Sequence, residues 1–366
     1  KILPEVCRTL DPDRPYWPSS PYGGDHPNSP SEGDRHSWEV WSGFRDYVAY
    51  RDDNGRFISE FGFQSLPNLK TVNGFTRPED RWPQSEVIEH HNKQYGGNER
   101  LYYFLSAHFK VPSTLEGFCE MTQINQGEAL KVGIEHWRSR KFKTSGTLIW
   151  QLNDCWPVSS WSLVDYACRK KASYYYVKRV FAPILLVLIK DGDTIRSYVV
   201  NDGLEGFSAE FKVKGVTLKG KVLKSISQLV SVPSNTSIKL NDFKLKDLGI
   251  SDGFSEIAVA ELCRDGEIIA YSTCVLERPK YLKLPRARAR IRLERMNREG
   301  TLFKATVTSK VFMKSAHIRL PYMEADFDDN YFDVVPGIPK VVYIRTSKKF
   351  RNRLPRVELR DATYYA

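Results

Sequence analysis

The stretch 58-ISEFGFQSLP-67 decides how this chain is read. A short apolar run ends on one carboxylate, Glu60, and passes at once into a Gly-aromatic turn. Taking a carboxylate out of water costs several kcal/mol unless it is paired or changes its proton affinity. A glutamate at the end of a buried strand therefore has either a partner or a task.

Working outward, 147-TLIWQLND-154 is a second run of this kind, and 14-RPYWPSS-20 and 38-WEVW-41 read as shorter strand-like pieces. Residues 1–11 read as a helix tail. Between the two main runs lie 85-SEVIEHHNKQYGG-97, the aromatic stretch 100-RLYYFLSAHF-109 and a long candidate helix over 115–141. In that helix Phe118, Met121 and Ile124 recur at helical spacing, and Lys and Arg gather at the C-terminal end, as the macrodipole favours. Strands alternating with helices predict a parallel α/β arrangement. Four such strands make half of an eight-stranded (β/α)8 barrel, with two strand edges unpaired and the core open on one side. The other half must then be supplied by polypeptide outside this sequence, and an opening Lys-Ile-Leu-Pro without methionine fits the interior of a longer protein.

After Phe181-Ala182-Pro183 the pattern changes to short alternating runs, with turn signals at Asp191-Gly192, Asp202-Gly203, Asp252-Gly253 and Asp265-Gly266. That spacing predicts a β-sandwich. A second change near Pro279–Pro285 leads into 286-RARARIRLERM-296, 301-TLFKATVTS-309, 316-AHIRL-320 and 339-PKVVYIRTS-347, a second sandwich. The expected organisation is 1–182, the C-terminal half of a barrel, then immunoglobulin-like β-sandwiches over 183–282 and 283–366.

With 366 residues the chain has room for several cores. The net charge of +11 permits attraction to polyanions. In 286-RARARIRLERMNR-298 the arginines alternate with small apolar residues, which fits a solvated strand face better than a polyanion site. No nucleic-acid-binding signature accompanies it, so nucleic acid is not an expected partner. Six cysteines are scattered too thinly for a disulfide framework or a metal site. If 257–277 is a hairpin turning at Asp265-Gly266, Cys263 faces Ile268 and not Cys274, so free thiols are expected. No apolar run approaches a membrane span and no secretory leader is read at the start, so no membrane partner is expected. The sequon Asn235-Thr236-Ser237 allows a secreted, lysosomal or periplasmic setting but does not decide the compartment.

Five motifs together, 15-PYWPSSP-21, 34-DRHSWEVW-41, 58-ISEFGFQSLP-67, 148-LIWQLNDCWP-157 and 328-DDNYFDVVPG-337, resemble the β-mannosidases of glycoside hydrolase family 2, in that family's order and over essentially the whole chain. The Phe-Gly-Phe-Gln-Ser after Glu60 is similar to the mannosidases rather than to the galactosidases or glucuronidases. The resemblance implies a retaining exo-β-mannosidase, acting on terminal β-D-mannose of manno-oligosaccharides, with Glu60 as nucleophile. A retaining glycosidase pairs an ionised carboxylate with a protonated carboxyl about 5–5.5 Å away. In the family the second carboxyl lies upstream of the nucleophile, so it is expected before Lys1, outside this chain. Asn98-Glu99 imitates its motif, but it reads as a Gly-rich linker between helical pieces, away from the strand ends that line a barrel site. By the same resemblance Trp150 is the sugar platform, with Trp156 a second candidate. His36 and Trp38 are expected to line the cleft, with a backbone-bonded structural histidine the alternative for His36. Trp17, Ser19 and Asn153 are further candidates, and Asp154 is expected to cap a following helix. His90-His91 lacks a third ligand, and no metal or cofactor is expected. Two alternatives stay open: another family 2 specificity, β-galactosidase or β-glucuronidase, and a non-catalytic carbohydrate-binding or spacer fragment.

Overall fold

The computed structural model describes residues 1–365. The chain opens with α1 (Ile2–Leu10), then runs β1 (Arg35–Ser37), β2 (Ile58–Phe61), α2 (Leu69–Phe75), α3 (Glu86–His90), α4 (Gly97–His108), α5 (Leu115–Ser139), β3 (Thr147–Ile149) and α6 (Ala172–Val180). The three strands form one parallel sheet in the order β1-β2-β3. The α/β expectation holds locally, but the strand count is three and not four.

Two expected strands are absent, for different reasons. In 14–20, Pro15 and Pro18 carry no N–H for a ladder, and this segment is joined to the rest through the isolated Tyr22–Asp34 bridge that follows it. In 38–41 the N–H groups of Ser42 and Gly43 both donate to the Trp38 carbonyl, at 2.9 and 3.0 Å, which makes a turn. That turn drives Trp41 fully into the core, against Phe63 and Phe104. The strand itself lies just before it, where the Arg35 N–H reaches the Phe57 carbonyl at 2.9 Å.

The long helix α5 begins where Thr114 accepts the Gly117 N–H at 3.1 Å, a side-chain N-cap. Phe118, Met121, Ile124, Leu130 and Ile134 are all buried, and from Met121 to Leu130 the helix is enclosed on every face, polar residues included. The segment around Asn98-Glu99 is the first turn of α4, not a linker, and Glu99 points to solvent.

Two antiparallel sandwiches follow. The first comprises β4 (Ile184–Asp191), β5 (Thr194–Asn201), β6 (Phe207–Thr217), β7 (Val222–Val232), β8 (Thr236–Lys239), β9 (Phe243–Lys244), β10 (Glu256–Arg264) and β11 (Glu267–Val275), in sheets β11-β10-β6-β7 and β4-β5-β8. Asp191-Gly192 and Asp265-Gly266 close hairpins as expected, and Cys263 is paired with Ile268. All six cysteines are free. The second comprises β12 (Arg290–Arg295), β13 (Leu302–Thr308), β14 (Met313–Arg319), β15 (Ala325–Phe327), β16 (Phe332–Val334), β17 (Lys340–Thr346) and β18 (Glu358–Arg360), in sheets β12-β13-β17-β15 and β16-β14-β18.

The first sandwich encloses its own core around Phe211, Val213, Ala260 and Leu262. The second instead shares one continuous core with the α/β unit, running from Phe61 and Phe104 through Tyr176 to Phe303 and Phe332. Among the described residues no helix is long and apolar enough to cross a membrane.

Candidate active site

Parallel pairing of β1 with β2 sets His36 opposite Glu60 in register. Ile58 and Phe61 are fully buried, Phe61 edge-on to Trp137 at 4.6 Å, so the strand is anchored on both sides of the carboxylate. Glu60 itself keeps 27% of its side chain exposed. It is a reachable carboxylate on a rigid strand.

Two groups converge on one of its oxygens. Trp38 Nε1 donates to Oε2 at 3.1 Å, and His36 Nδ1 stands 3.2 Å from the same atom. Oε1 has no hydrogen-bond partner among the described residues. Such a clamp fixes the carboxylate plane while leaving one oxygen available for bonding.

Behind His36 runs a polar chain that sequence reading did not find. His36 Nε2 lies 3.3 Å from Ser20 Oγ, which donates to Asp34 Oδ2 at 2.6 Å, and Ser59 Oγ donates to the same oxygen. The Tyr22 N–H adds a bond of 2.9 Å to Oδ1. Burial alone would raise the Asp34 pKa, but the hydrogen bonds from Ser20, Ser59 and Tyr22, with His36 nearby, hold it below the usual carboxylate value. Asp34 is therefore an ionised anchor. The segment 14–20 thus reaches the site through Ser20; Ser19 bonds only the nearby Pro21 carbonyl, and Trp17, 52% exposed, packs on Tyr22 at 4.6 Å.

Where β2 ends, Gly62 lets three aromatic residues close in. A Cβ on Gly62 would stand 2.1 Å from the Trp150 carbonyl oxygen, and 3.1 and 3.2 Å from the Trp161 and Trp38 rings. Trp150, 44% exposed, follows β3 directly, its N–H bonded to the Phe61 carbonyl at 2.8 Å. Trp161 meets Trp38 edge-on at 6.0 Å, and its buried N–H has no partner among the described residues. Trp161 is the aromatic that sequence reading missed, although the motif run reaches within a few residues of it.

The other residues singled out in the sequence are placed as follows, and the capping expectation for Asp154 is overturned. Trp156 stacks on His91 at 4.9 Å, and His91 on Phe75 at 3.9 Å, a column that no hydrogen bond or ring contact joins to Glu60 among the described residues. Asn153 is exposed and bonds its neighbour's carbonyl. Asp154 caps no helix: buried, it accepts from Ser160 at 2.6 Å and Ser162 at 2.7 Å. It also attracts the fully buried Lys171, whose ammonium burial pushes down to about 8 against the pull of Asp154 and Asp165. This pair supports the loop after β3 from below. No group of three or more His, Cys, Asp or Glu that could hold a metal ion occurs among the described residues.

The comparisons with known proteins agree with this architecture. A family described as "Mannosidase Ig/CBM-like domain" matches residues 193–281, and one described as "Ig-fold domain" matches 287–362. Beta-mannosidase B of Thermothelomyces thermophilus is 30% identical over an alignment covering 92% of this chain and 43% of the relative. That of Emericella nidulans is 31% identical over 95% and 43%. The crystal structure of a beta-D-mannosidase from Dictyoglomus thermophilum superposes with a TM-score of 0.93 at 36% identity, over 99% of this chain and 44% of that one. An exo-chitosanase from Amycolatopsis orientalis, at 16% identity and a TM-score of 0.68, shares the fold.

A carboxylate near the C-terminal end of the central strand of a parallel sheet, followed by two immunoglobulin-like modules, is the arrangement this chain shares with the multidomain glycoside hydrolases it matches. Within that class the chain is similar to β-mannosidases over nearly its whole length. It spans about 43% of the length of the curated relatives it matches.

Proposed function

We propose that this chain carries the nucleophile half of a retaining exo-β-mannosidase, releasing terminal non-reducing β-D-mannose. The observation that supports it most is the clamp on Glu60: both neighbours engage Oε2, and Oε1 is left to bond the anomeric carbon. A retaining mechanism needs a second, protonated carboxyl about 5–5.5 Å away. Asp34 does not suit that role, because its donors keep it ionised. Glu99 does not suit it either, lying exposed on the first turn of α4. The acid/base is therefore assigned to an N-terminal portion of the longer protein, which also completes a (β/α)8 barrel around the three parallel strands.

In this reading residues 1–182 form the C-terminal barrel half, 183–282 and 283–366 the two sandwiches. Trp38 and His36 orient the nucleophile, and Trp150 offers an indole face to the sugar's C–H surface. Trp161, with its unpaired N–H, is a further donor at the same place.

The test uses the full-length protein and a 2-fluoro-mannoside with a good leaving group, followed by peptide mass spectrometry. The proposal expects a mannosyl adduct on Glu60, and turnover of p-nitrophenyl mannoside well above that of the galactoside and glucuronide. A label on another carboxylate, or none, overturns it.

A further inference from the structure

Residues 283–366 contain 19 Lys and Arg against 9 Asp and Glu, which accounts for all but one of the chain's net positive charges. Many of these cations have structural partners. Lys314 is tied to Glu128 and Asp333, and Arg319 and Arg360 both reach Glu116. The remainder are concentrated at one edge and one end of the second sandwich.

At the edge, Arg286, Arg288 and Arg290 are exposed while Ala287, Ala289 and Ile291 pack on the core. None of the three arginines has a carboxylate within 4.0 Å among the described residues. Arg290 is the first residue of β12 and the other two lie in the segment leading into it; the alternation of exposed and packed residues runs through both, so alternate guanidiniums fall on one side, about 6.6 Å apart for extended chain. β12 is an edge strand, and charged residues on an edge also block pairing with other chains. Edge protection accounts for Arg290 but not for Arg286 and Arg288, which precede the strand, nor for the cations at its far end.

There the turn after β12 meets the loop after β17. The Phe350 N–H donates to the Gly300 carbonyl at 2.8 Å, and Phe350 packs on Phe303 at 6.1 Å. This junction brings Arg295 at the end of β12 and Arg298 of the turn together with Lys348, Lys349, Arg351 and Arg353 of the loop. All six are exposed and without a carboxylate partner among the described residues. Glu299 is the acidic residue of that turn. The edge row and this cluster follow one another over a path on the order of 30 Å.

We propose that this surface binds an acidic polysaccharide, a linear glycan bearing uronate groups, along the edge row and across the loop cluster. Charge complementarity selects a polyanion, and the shape narrows the class. The face is a solvated sheet edge with no projecting helix or β-ribbon to enter a duplex groove. Tyr343, beside Lys304 on the outer face of β17, is too sparse a stacking platform for single-stranded nucleic acid. An extended, singly charged repeat fits a row of single guanidiniums. The inference does not depend on the hydrolytic reading above.

The experiment measures binding of the full-length protein to a defined-length oligogalacturonide by calorimetry across a salt series, with a neutral manno-oligosaccharide, a single-stranded oligonucleotide of equal charge and anionic phospholipid vesicles alongside. Binding of the oligogalacturonide is expected, tightest among the four probes and weakening as salt rises. Arg286→Gln/Arg288→Gln/Arg290→Gln and Lys348→Gln/Lys349→Gln/Arg351→Gln should each weaken it by at least about tenfold with unchanged melting temperature. Lys219→Gln/Lys221→Gln/Lys224→Gln, exposed lysines of the first sandwich, should change it by less than about twofold. Absence of oligogalacturonide binding, tighter binding of oligonucleotide or vesicles, or equal loss in the control variant overturns the proposal.

Discussion

Glu60 is held by an indole N–H donor on one oxygen, and the force of that arrangement lies in what it prevents. A carboxylate free to rotate presents either oxygen and either face; one clamped at Oε2 presents Oε1 alone. A hydrogen bond to a charged group is worth about 1.5–3 kcal/mol. Trp38→Phe in the full-length protein should therefore lower kcat for mannoside hydrolysis by roughly ten- to a hundredfold. Steady-state kinetics will check this, and an effect on KM alone would mean that the indole serves substrate binding instead. A second residue-scale consequence concerns pH. Burial lowers the His317 pKa from 6.5 to about 4, within stacked Tyr331 and Tyr365. Between those values the unfolded chain takes up a proton that the folded chain refuses, so stability is full above about pH 6.5 and is lost as pH falls towards 4. The loss from this one group is on the order of 3 kcal/mol. His317→Phe should flatten that limb of the stability profile, as read by denaturant melts across the range; an unchanged slope would assign the acid sensitivity elsewhere.

At the scale of elements, the site is a junction between the ends of β2 and β3, and Gly62 is its hinge point. Its carbonyl accepts the Tyr50 hydroxyl at 3.0 Å, while a Cβ would collide with the Trp150 backbone at 2.1 Å. Backbone cannot swing aside as a side chain can, so Gly62→Ala should cost at least about 2 kcal/mol and displace Trp150 and Trp38 together. Thermal melts and mannosidase assays of the full-length variant should both register it; a stable variant with normal kcat would contradict the close approach. The elements also show which sequence signals carry. The helix expected over 115–141 is α5 at Leu115–Ser139, because a long 3.6-residue stripe has few competing interpretations. The hairpin register at Asp265-Gly266 came through to the residue, since a two-residue turn leaves little freedom. By contrast 38–41 alternates like a strand yet turns, because burying Trp41 and satisfying the Trp38 carbonyl outweigh a four-residue pattern. Asp154, placed as a cap by its residue type, became the hub of a buried serine network that no local spacing announces.

Across the molecule, α5 is the spine on which the parts are mounted. Its Glu116 binds Arg319 and Arg360, its Glu120 accepts from Tyr331, and its Arg138 reaches Asp202 at 2.7 Å in the first sandwich. Lys314 is the most deeply committed link, fully buried between Glu128 and Asp333. Burial would depress its pKa, but those two carboxylates hold it well above the ordinary lysine value. Lys314→Met would leave both acids buried without their cation, and should cost about 3–5 kcal/mol. Calorimetry should then separate the second sandwich from the α/β unit as an early transition; a single undiminished transition would mean that the shared apolar core carries the coupling alone. What the sequence by itself determined is the order of an α/β unit and two β-sandwiches, the resemblance to the β-mannosidases, and Glu60 as the residue of interest. Those follow from periodicity, turn chemistry and local motif, all written within a few residues of one another. Only the tertiary structure decided that Ser20 and Asp34 stand behind His36, that Trp161 and not Trp156 closes on Trp38, and that the second sandwich shares its core with the α/β unit. Such contacts join residues distant in sequence, and they exist because buried polar groups and apolar surface must find partners wherever the folded chain brings them.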